Sequence, residues 1–517
     1  MTADSYDEIP YDSTPFADTH PAHLCVLGRI FGLDTPVPET ARILELGCAT
    51  GGNIIPLAYY LPNTKIVGIE LSAGQVAVAQ ELIQRLALTN IEVRQGDIMT
   101  LGEDLGEYDY IIAHGVYSWV PEPVRGRILE LCRSHLSPHG IAYISYNTLP
   151  GWRMRGTLRD MLLHHTRPAK TPRERLTLAY QLFELLEQAV AHDDALASRY
   201  LRSEIAGLRN SHPSYLYHEY LEEINQPFLF SEFVTEAGRH GLQYLCDVEL
   251  ATDIPTSLGP DAAAALDGID DLIEQGQYGD FIANRTFRRS LLCHADVRLQ
   301  RELSLEQLTT FAYSALLSPE KPAYFKQPRS QSYRSATGQT FEVEHPLTKA
   351  ALYQLAESYP DSIGFEALYS AACEQVTREG GSKQAHEREA LLGELITLFA
   401  HQAIRLTPHP RHFEKTLSDR PRLTSLARHQ VAMRLGHLAT LSHTTLSLDA
   451  FSTKLAELLD GRHDAKELAE QMTMAIENGE IAALTSVKQG KSAPLKATIT
   501  ANTQRLLAMF VREGVLQ

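Results

Sequence analysis

The sequence contains few cysteines and no long apolar stretch. Its 517 residues include six cysteines, none of which forms a Cys-x-x-Cys pair. This number is too small for a disulfide framework or a zinc ribbon and favours a reducing compartment, so we expect a cytoplasmic protein. No stretch approaches the roughly 20 apolar residues that cross a bilayer. Residues 1–16 also lack the basic and apolar regions of a secretion signal.

Positive charge is in short supply. Lysine and arginine number 47 against 64 aspartates and glutamates, which gives a net charge of −17 with neutral histidines. The average electrostatic field therefore repels phosphate backbones, and we expect no nucleic-acid partner. We expect no metal site either. His135 and His139 have the i, i+4 spacing of zinc ligands, but Pro138 interrupts the helix that such a pair requires.

Residues 41–147 alternate short apolar runs with stretches of helical pattern. Five of the runs predict buried parallel strands, at 41–46, 65–70, 90–94, 108–113 and 140–145. The stretches 72–88 and 121–136 predict helices, and Pro121 and Pro123 suit the start of the second one. This alternation is typical of a doubly wound, Rossmann-like α/β sheet with right-handed crossovers.

Two further strands are predicted much later in the chain, at 241–250 and 285–294. We therefore expect residues 166–227 to form a helical lid that is inserted between the fifth and sixth strands of the sheet. Three arginines flank the last strand and are expected at a solvated sheet edge, namely Arg285, Arg288 and Arg289.

A chain of this length predicts two to four domains of about 150 residues each. The segment between Pro319 and Pro346 is rich in proline, serine, lysine and glutamine, which indicates a linker or an exposed loop. Beyond it, helical patterns dominate and no chemical motif is evident. The predicted division is an N-terminal arm (1–35), a core (36–165 and 228–297), the lid (166–227), a linker (298–345) and a mainly helical C-terminal domain (346–517).

The most informative motif directly follows the first predicted strand and reads Glu45-Leu-Gly-Cys-Ala-Thr-Gly-Gly-Asn53. Small residues at 47, 49, 51 and 52 allow a sharp turn and a close approach of a ligand to main-chain N–H groups. The spacing is a degraded form of the dinucleotide fingerprint. However, the carboxylate of Glu45 would repel a pyrophosphate and instead suits the ammonium of a methionyl group. The motif thus favours S-adenosylmethionine over a dinucleotide.

Two more acidic residues follow the next two strands. Glu70 lies 23 residues after Gly47, at the position of a carboxylate that accepts both ribose hydroxyls. Asp97 ends the third strand, where the adenine of the same cofactor would lie. Since the carboxyl ends of parallel strands share one crevice, these acids and their neighbours should bind the cofactor. The predicted cofactor-binding residues in the strand-end segments are Glu45, Gly47, Ala49, Gly51, Asn53, Glu70, Leu71, Asp97, Ile98 and His114.

With these motifs the chain resembles the class I S-adenosylmethionine-dependent methyltransferases, and it departs from them at Ala49, where glycine is common. It is further similar to bacterial protein methyltransferases with an additional regulatory domain, including the rickettsial outer-membrane protein lysine methyltransferases. The segments that carry this resemblance are Tyr6–Tyr11, Thr19–Pro21, Tyr146–Trp152, His218–Leu221, Asn225–Pro227 and Leu458–Arg462. The resemblance implies a seven-stranded sheet, S-adenosylmethionine as cofactor, and an arm that brings Tyr11 and His20 over it.

The fourth and fifth strands end in aromatic segments near the expected position of the transferred methyl group. The side chains expected to hold or deprotonate the acceptor are His114, Tyr117, Tyr146, Trp152 and Tyr220. A lysine acceptor must lose its proton, because its reference pKa is about 10.4. Of the lid tyrosines Tyr215, Tyr217 and Tyr220, we expect at least one to reach the crevice and the others to pack.

Three functions are open at this point. The leading interpretation is methyl transfer to protein lysine side chains, with a C-terminal domain that regulates the enzyme or recruits substrate. The alternatives are a small-molecule methyltransferase and a protein that senses S-adenosylmethionine without turnover. An open channel for one extended side chain would favour a protein acceptor, whereas a closed cavity of roughly 300–1,000 Å³ would favour a metabolite. The oligomeric state is also open, with a homodimer as one option.

Overall fold

The computed structural model describes residues 8–9, 13–335, 338–381, 387–413, 416–482 and 495–517. At its centre lie the strands β1 (Arg42–Leu46), β2 (Lys65–Glu70), β3 (Ile91–Gln95), β4 (Tyr108–Ala113), β5 (Leu136–Asn147), β6 (Leu242–Asp247) and β7 (Phe287–His294). They form a seven-stranded sheet in the order β3-β2-β1-β4-β5-β7-β6. The first five strands pair in parallel, and β7 is antiparallel to both β5 and β6. The predicted Rossmann-like sheet with two late strands is therefore confirmed.

Helices cover both faces of this sheet. Those that precede β7 are α1 (Pro21–Ile30), α2 (Ile54–Tyr60), α3 (Ala73–Arg85), α4 (Glu122–His135), α5 (Gly151–His165), α6 (Pro172–Ala189), α7 (Leu196–Arg209), α8 (Pro213–Leu216), α9 (Phe230–Arg239), α10 (Pro260–Leu266) and α11 (Leu272–Ala283). The start of α3 follows from local chemistry, because the Ser72 side chain accepts a hydrogen bond from the backbone N–H of Gln75. No helix of the described ranges combines the length and the apolar character needed to cross a membrane.

Alternating side chains of the central strands pack into two different cores. In β4, Tyr110 and Ile112 face the core that contains α1 and α2, whereas Ile111 and Ala113 face the core that contains α4 and α9. This follows from the period of two residues along a strand. Because both faces are covered, all six residues of β4 are buried, which explains why the strand is apolar apart from Asp109.

The residues predicted as a lid form α6, α7, α8 and a short π-helical turn at Tyr217–Leu221. Their core also includes two residues of α5, Leu158 and Leu162. The helical unit above the sheet therefore begins earlier than predicted, at Gly151. The predicted boundary differs because the buried apolar side chains of α5 pack on α6 and α7 of the lid, although α5 was predicted as part of the core.

Residues 298–345, predicted as a linker, are folded instead. They contain α12 (Leu305–Leu308), β8 (Ala312–Ser314), β9 (Leu317–Pro319), β10 (Gln331–Ser335) and β11 (Thr340–Val343). β8 pairs with β12 (Ile363–Gly364) and β13 (Arg405–Thr407), which ties this segment to the chain that follows. Phe311 and Tyr313 join the same core as α1. The linker prediction failed because it weighed the polar and proline-rich residues more than the few buried ones between them.

The C-terminal part is mainly helical, as predicted from its patterns. Its described helices are α13 (Pro346–Ser358), α14 (Phe365–Arg378), α15 (Glu387–Ala400), α16 (Ser425–Ala432), α17 (Ala450–Leu458), α18 (Ala465–Glu477) and α19 (Leu495–Arg512). The last four surround a separate core together with a hairpin of β14 (His437–Ala439) and β15 (Thr445–Ser447). The sequence patterns do not predict this hairpin, whose strands are only three residues long.

Arg288, predicted at a solvated edge, is completely buried. Its guanidinium donates hydrogen bonds of 2.8 and 3.0 Å to the two carboxylate oxygens of Asp280 and stacks over the ring of Phe230. Asp253 lies 3.3 Å away on another side. The prediction was wrong because the partners of Arg288 come from α11 and from the segment after β6, which the sequence of β7 alone does not reveal.

Removing Asp280 should strongly destabilise the protein. The substitution Asp280→Ala leaves Arg288 charged and without its main partner inside the fold, a change that costs about 3–5 kcal/mol. Glu92→Ala is the matched control, because the ion pair of Glu92 with Arg94 is exposed and such pairs contribute at most about 1 kcal/mol. Thermal and urea unfolding would measure the difference. Equal shifts of the unfolding midpoint in the two variants would contradict this interpretation.

Candidate active site

A cavity of about 720 Å³ lies at the carboxyl ends of β1, β2, β3 and β4. The loops after these strands form one part of its lining. The end of β5, α5 and the lid form another part. Ligands of doubly wound sheets bind at this edge, outside the carboxyl ends of the strands. The cavity therefore brings the predicted cofactor site and the predicted lid together.

The loop after β1 makes the tight turn that its small residues predict. Gly47, Ala49 and Gly51 have φ angles of +74°, +49° and +76°, in the left-handed region that favours glycine. Ala49 adopts this conformation despite its side chain. Gly47 and Ala49 line the cavity, but Gly51 does not. The Cδ1 atom of Ile55 would lie only 2.7 Å from a Cβ atom at position 51, so there is no room for a larger side chain. Gly51 therefore shapes the turn without contacting the cavity.

Glu45 is buried at the end of β1 and lines the cavity. Its Oε1 accepts a hydrogen bond of 2.8 Å from Nδ2 of Asn53, whereas Oε2 has no partner among the described residues. Burial raises the pKa of Glu45 to about 7, and the hydrogen bond from Asn53 opposes this shift. A buried oxygen without a donor is unfavourable. A cationic amine in the cavity would supply that donor, so Glu45 fits the amino group of a methionyl ligand.

Glu70 and Asp97 lie at the ends of the two neighbouring strands and line the same cavity. The carboxylate of Glu70 accepts backbone N–H bonds from Ala49 at 3.0 Å and Ser72 at 2.9 Å. Both oxygens keep a further lone pair, which suits two ribose hydroxyls. Asp97 caps the short helical turn that follows it. The adjacent residues predicted with these acids also line the cavity, namely Leu71 and Ile98.

His114 directly follows β4 and also lines the cavity. Its Nδ1 lies 2.9 Å from the hydroxyl of Tyr143, and its ring packs 3.9 Å from the ring of Phe16. Burial lowers the pKa of His114 to about 4, so the ring is neutral near pH 7. Such a ring is a weak proton acceptor. The structure therefore favours a positioning role for His114 over a proton relay.

The lid and α5 supply a second wall of the cavity. Tyr215, His218 and Glu219 line the cavity from the lid, and Arg155 lines it from α5. At least one lid tyrosine thus reaches the crevice, as the sequence predicts. Burial raises the pKa of Glu219 to about 7, and the nearby charge of Arg155 opposes this shift. This wall therefore carries a carboxyl group that changes charge near neutral pH.

Tyr117 and Tyr146, predicted to hold the acceptor, do not line the cavity. Both pack in the core against Phe228 and Phe233. Tyr117 lies in the short helical turn Tyr117–Trp119 after β4. For Tyr146 the direction of β5 explains the difference, because successive side chains of a strand point to opposite faces. Asn147 lines the cavity, and its neighbour Tyr146 therefore points into the core.

Trp152 and Tyr220 also lie outside the cavity lining. The ring of Trp152 packs against Trp119 and Tyr220, at centroid distances of 6.4 and 5.7 Å. The hydroxyl of Tyr220 donates to Glu204 at 3.0 Å, away from the cavity. Of this cluster, Trp119 lines the cavity, so the other two rings support it from behind. Tyr11, the remaining predicted contact, lies outside the described residues.

Several residues of the cavity escape the sequence analysis. They include Ser13, Phe16, Gln75, Met99, Val116, Val124, Arg155, Thr286 and Phe287. Most have small or apolar side chains, whose type indicates no particular chemistry. A further residue lies behind the lining, where Nε2 of His443 is 2.8 Å from Oδ1 of Asn53. No sequence pattern connects two positions so far apart in the chain.

Three protein families match successive parts of the chain. The family described as "Methyltransferase domain" matches residues 43–140, from β1 into β5. The family described as "Predicted methyltransferase regulatory domain" matches residues 212–294, which include the end of the lid, β6 and β7. The family described as "PKMT, C-terminal winged helix domain" matches residues 419–515. The last match covers the β14–β15 hairpin and the helices around it.

Two structures of PKMT2 from Rickettsia typhi, one of them in complex with AdoHcy, are similar to nearly the whole chain. They are 28% identical, cover 98% of this chain and 100% of their own, and superimpose with a TM-score of 0.84. The uncharacterized protein RP028 of Rickettsia prowazekii is 36% identical over 47% of this chain and 96% of its own length. The uncharacterized protein RP789 of the same organism is 34% identical over 98% of this chain and 92% of its own length. The chain therefore belongs to the same family as RP789, and its methyltransferase domain together with the similarity to the AdoHcy complex makes it an S-adenosylmethionine-dependent methyltransferase.

Proposed function

We propose that this methyltransferase modifies lysine side chains of proteins. The observation that carries the proposal is the similarity to PKMT2, where PKMT stands for protein lysine methyltransferase. This similarity extends over nearly the whole chain and includes the C-terminal winged-helix region. Similarity confined to the sheet would support methyl transfer alone, because one fold serves many acceptors. The shared lid and winged-helix regions lie outside the sheet, so they favour a shared class of acceptor.

When bound, S-adenosylmethionine supplies the methyl group. We assign its amino group to Glu45, its ribose hydroxyls to Glu70 and its adenine to the neighbourhood of Asp97. Two observations support the assignment. Oε2 of Glu45 is buried without a partner among the described residues, and Glu70 is oriented by two backbone N–H groups. Hydrogen bonds to such a pre-oriented carboxylate need little rearrangement of the protein.

The substitution Glu70→Ala should weaken the binding of S-adenosylmethionine by about 2–3 kcal/mol, since hydrogen bonds to a charged group contribute about 1.5–3 kcal/mol each and do not add fully. Calorimetric titration of the full-length protein would measure the affinity. Glu81→Ala is the matched control, because Glu81 is an exposed residue of α3 whose charge is paired with Arg85. Wild-type affinity in the Glu70→Ala variant would contradict the assignment.

A lysine acceptor has to lose its proton in the cavity. We call the part of the cavity formed by the lid and α5 the acceptor wall. We assign the removal of the proton to Glu219 of this wall, whose carboxyl group has a pKa of about 7. As a carboxylate it attracts an ammonium group and accepts its proton, and both roles are lost when it is protonated. Tyr215 and Trp119 add aromatic surface to the lining, which holds cationic alkyl groups well.

The substitution Glu219→Gln should lower kcat at least about tenfold, because general-base contributions are typically 10² or more. In the wild type, kcat should rise as the pH rises through about 7, where Glu219 becomes charged. The variant should lack this rise but bind S-adenosylmethionine normally, because Glu219 lies on the acceptor wall. Glu223→Gln, at an exposed position of the same segment, is the control. A wild-type pH profile in Glu219→Gln would disprove the role.

The class of acceptor can be determined with methyl-labelled S-adenosylmethionine. The enzyme would be incubated separately with the proteins and with the small molecules of a cell lysate, and mass spectrometry would locate the label. We expect label on lysine residues of proteins. The cavity volume of about 720 Å³ does not distinguish a protein acceptor from a small-molecule acceptor, because this volume includes the proposed cofactor site. Label confined to the small-molecule fraction would instead support a metabolite acceptor.

The proposal also gives roles to the segments around the core. The arm (1–35) contributes Ser13 and Phe16 to the cavity, and the lid (166–227) contributes the acceptor wall. All six cysteines are free thiols, which supports a location in the reducing cytoplasm.

A further inference from the structure

The winged-helix unit, defined as residues 419–515, contacts both ends of α2, the helix that follows the cofactor loop. At the C-terminal end of α2, the hydroxyl of Tyr60 lies 3.3 Å from the carbonyl oxygen of Ala439 and 3.2 Å from that of Gly514. At the N-terminal end, the side chain of His443 meets Asn53. The C-terminal unit is therefore in contact with the helix that follows the proposed cofactor loop and with Asn53 at the end of that loop.

His443 lies in the loop between β14 and β15 and is inserted into the protein. It is 2% exposed and has a φ of +57°, in the left-handed region that residues other than glycine seldom adopt, although histidine, asparagine and aspartate adopt it more often than the rest. Thr440 and Thr444 close the loop through a backbone hydrogen bond of 2.9 Å and a hydroxyl contact of 2.7 Å. Residues held in sparsely populated conformations cluster at functional sites. The hairpin thus presents one imidazole to one amide of the core.

The hydrogen-bond network defines the direction of this contact. The backbone N–H of Phe16 donates to Oδ1 of Asn53 at 3.0 Å, which identifies Oδ1 as the acceptor. Nε2 of His443 must therefore carry the hydrogen in its contact of 2.8 Å with the same oxygen. Burial lowers the pKa of His443 to about 3, so the ring is neutral and donates only this hydrogen. The amide nitrogen of Asn53 consequently points at Glu45.

We propose that the winged-helix unit controls cofactor binding through His443, a positioning residue that holds Asn53 and thereby Glu45 in the orientation that binds the cofactor. The inference rests on the cofactor site of the proposed function and adds a C-terminal residue to it. It also specifies the regulatory role, because a unit that only recruited substrate would leave cofactor affinity unaffected. Since coupling between sites is reciprocal, bound cofactor would in turn stabilise the docked hairpin.

Loss of the contact has a defined chemical effect on Glu45. The amide of Asn53 is the donor that lowers the pKa of this carboxyl group. The other ionisable groups around it are Glu70, Cys48 and Tyr143, and within the described structure none of them donates a hydrogen bond to it. Without His443, Oδ1 of Asn53 keeps the backbone N–H of Phe16 at 3.0 Å and the hydroxyl of Thr19 at 3.1 Å but loses one of its donors. The amide is then held less firmly and leaves more of Glu45 protonated at a given pH. A neutral acid attracts an ammonium group far less than a carboxylate does.

The test uses full-length variants and S-adenosylmethionine as the probe. In His443→Asn the new side chain tolerates the left-handed backbone but is too short to reach Asn53, whereas in His443→Gln it is one methylene longer and keeps a donor. We expect His443→Asn to weaken binding about five- to tenfold at about pH 7.5, from the loss of one buried hydrogen bond. The pH at which binding is half lost should also rise. In His443→Gln, affinity should return to within about threefold of the wild type.

Tyr60→Phe is the matched control. It removes the contact at the other end of α2 without touching Asn53, so it should leave both the affinity and the midpoint of the pH dependence unchanged. Unfolding midpoints of all variants would be measured alongside binding. Because His443→Asn and His443→Gln differ by one methylene, a general loss of folding would affect both and not only the shorter side chain.

Three results would overturn the proposal. The first is wild-type affinity in His443→Asn. The second is a loss of affinity in Tyr60→Phe and His443→Gln as large as that in His443→Asn. The third is a loss of affinity in His443→Asn without a shift of the pH midpoint. A failure of the cofactor site is distinguishable from all three, because Glu70→Ala would then bind S-adenosylmethionine as tightly as the wild type. If the wild type itself does not bind S-adenosylmethionine, the proposed function fails.

Discussion

The hydrogen bond from Asn53 to Glu45 is the interaction on which the arrangement of the site depends. Glu45 is an acid at the buried end of β1, and a charge at such a place requires a donor. Asn53 provides the donor, and its own oxygen receives hydrogen bonds from Phe16 in the arm and from His443 in the winged-helix unit. One amide therefore joins the sheet, the arm and the C-terminal unit, which are far apart in the sequence.

The two walls of the cavity have different structural origins. The wall that we assign to the cofactor consists of strand ends and the loops after them, whose positions follow from the parallel pairing of β1 to β4. The wall that we assign to the acceptor comes mostly from helices outside the sheet, where Arg155 and Glu219 are located. This division allows the cofactor chemistry to stay constant while the inserted helices determine the acceptor. The two walls also differ in how far the sequence revealed them.

The cofactor wall was predictable because its signals are local. Glu45 and Glu70 lie at the carboxyl ends of their strands and Asp97 lies two residues after β3, so that recognising the strands also places the acids. The acceptor wall was not predictable in this way. Tyr146 and Asn147 are adjacent in sequence but lie on opposite faces of β5. The sequence favours Tyr146 as an acceptor residue, but Tyr146 lies in the core and Asn147 lines the cavity. Aromatic residue type indicates burial as readily as it indicates a binding site.

The sequence by itself determined the order of strands and helices, the crevice at the strand ends and the type of cofactor. Each of these follows from the periodicity or spacing of residues within one element and its adjoining loop. Only the tertiary structure decided that residues 298–345 are folded, that Arg288 is buried with Asp280, and that His443 meets Asn53. Such pairings depend on which surfaces meet when the whole chain is packed. Periodicity shows that a side chain is buried, but it does not name the distant partner.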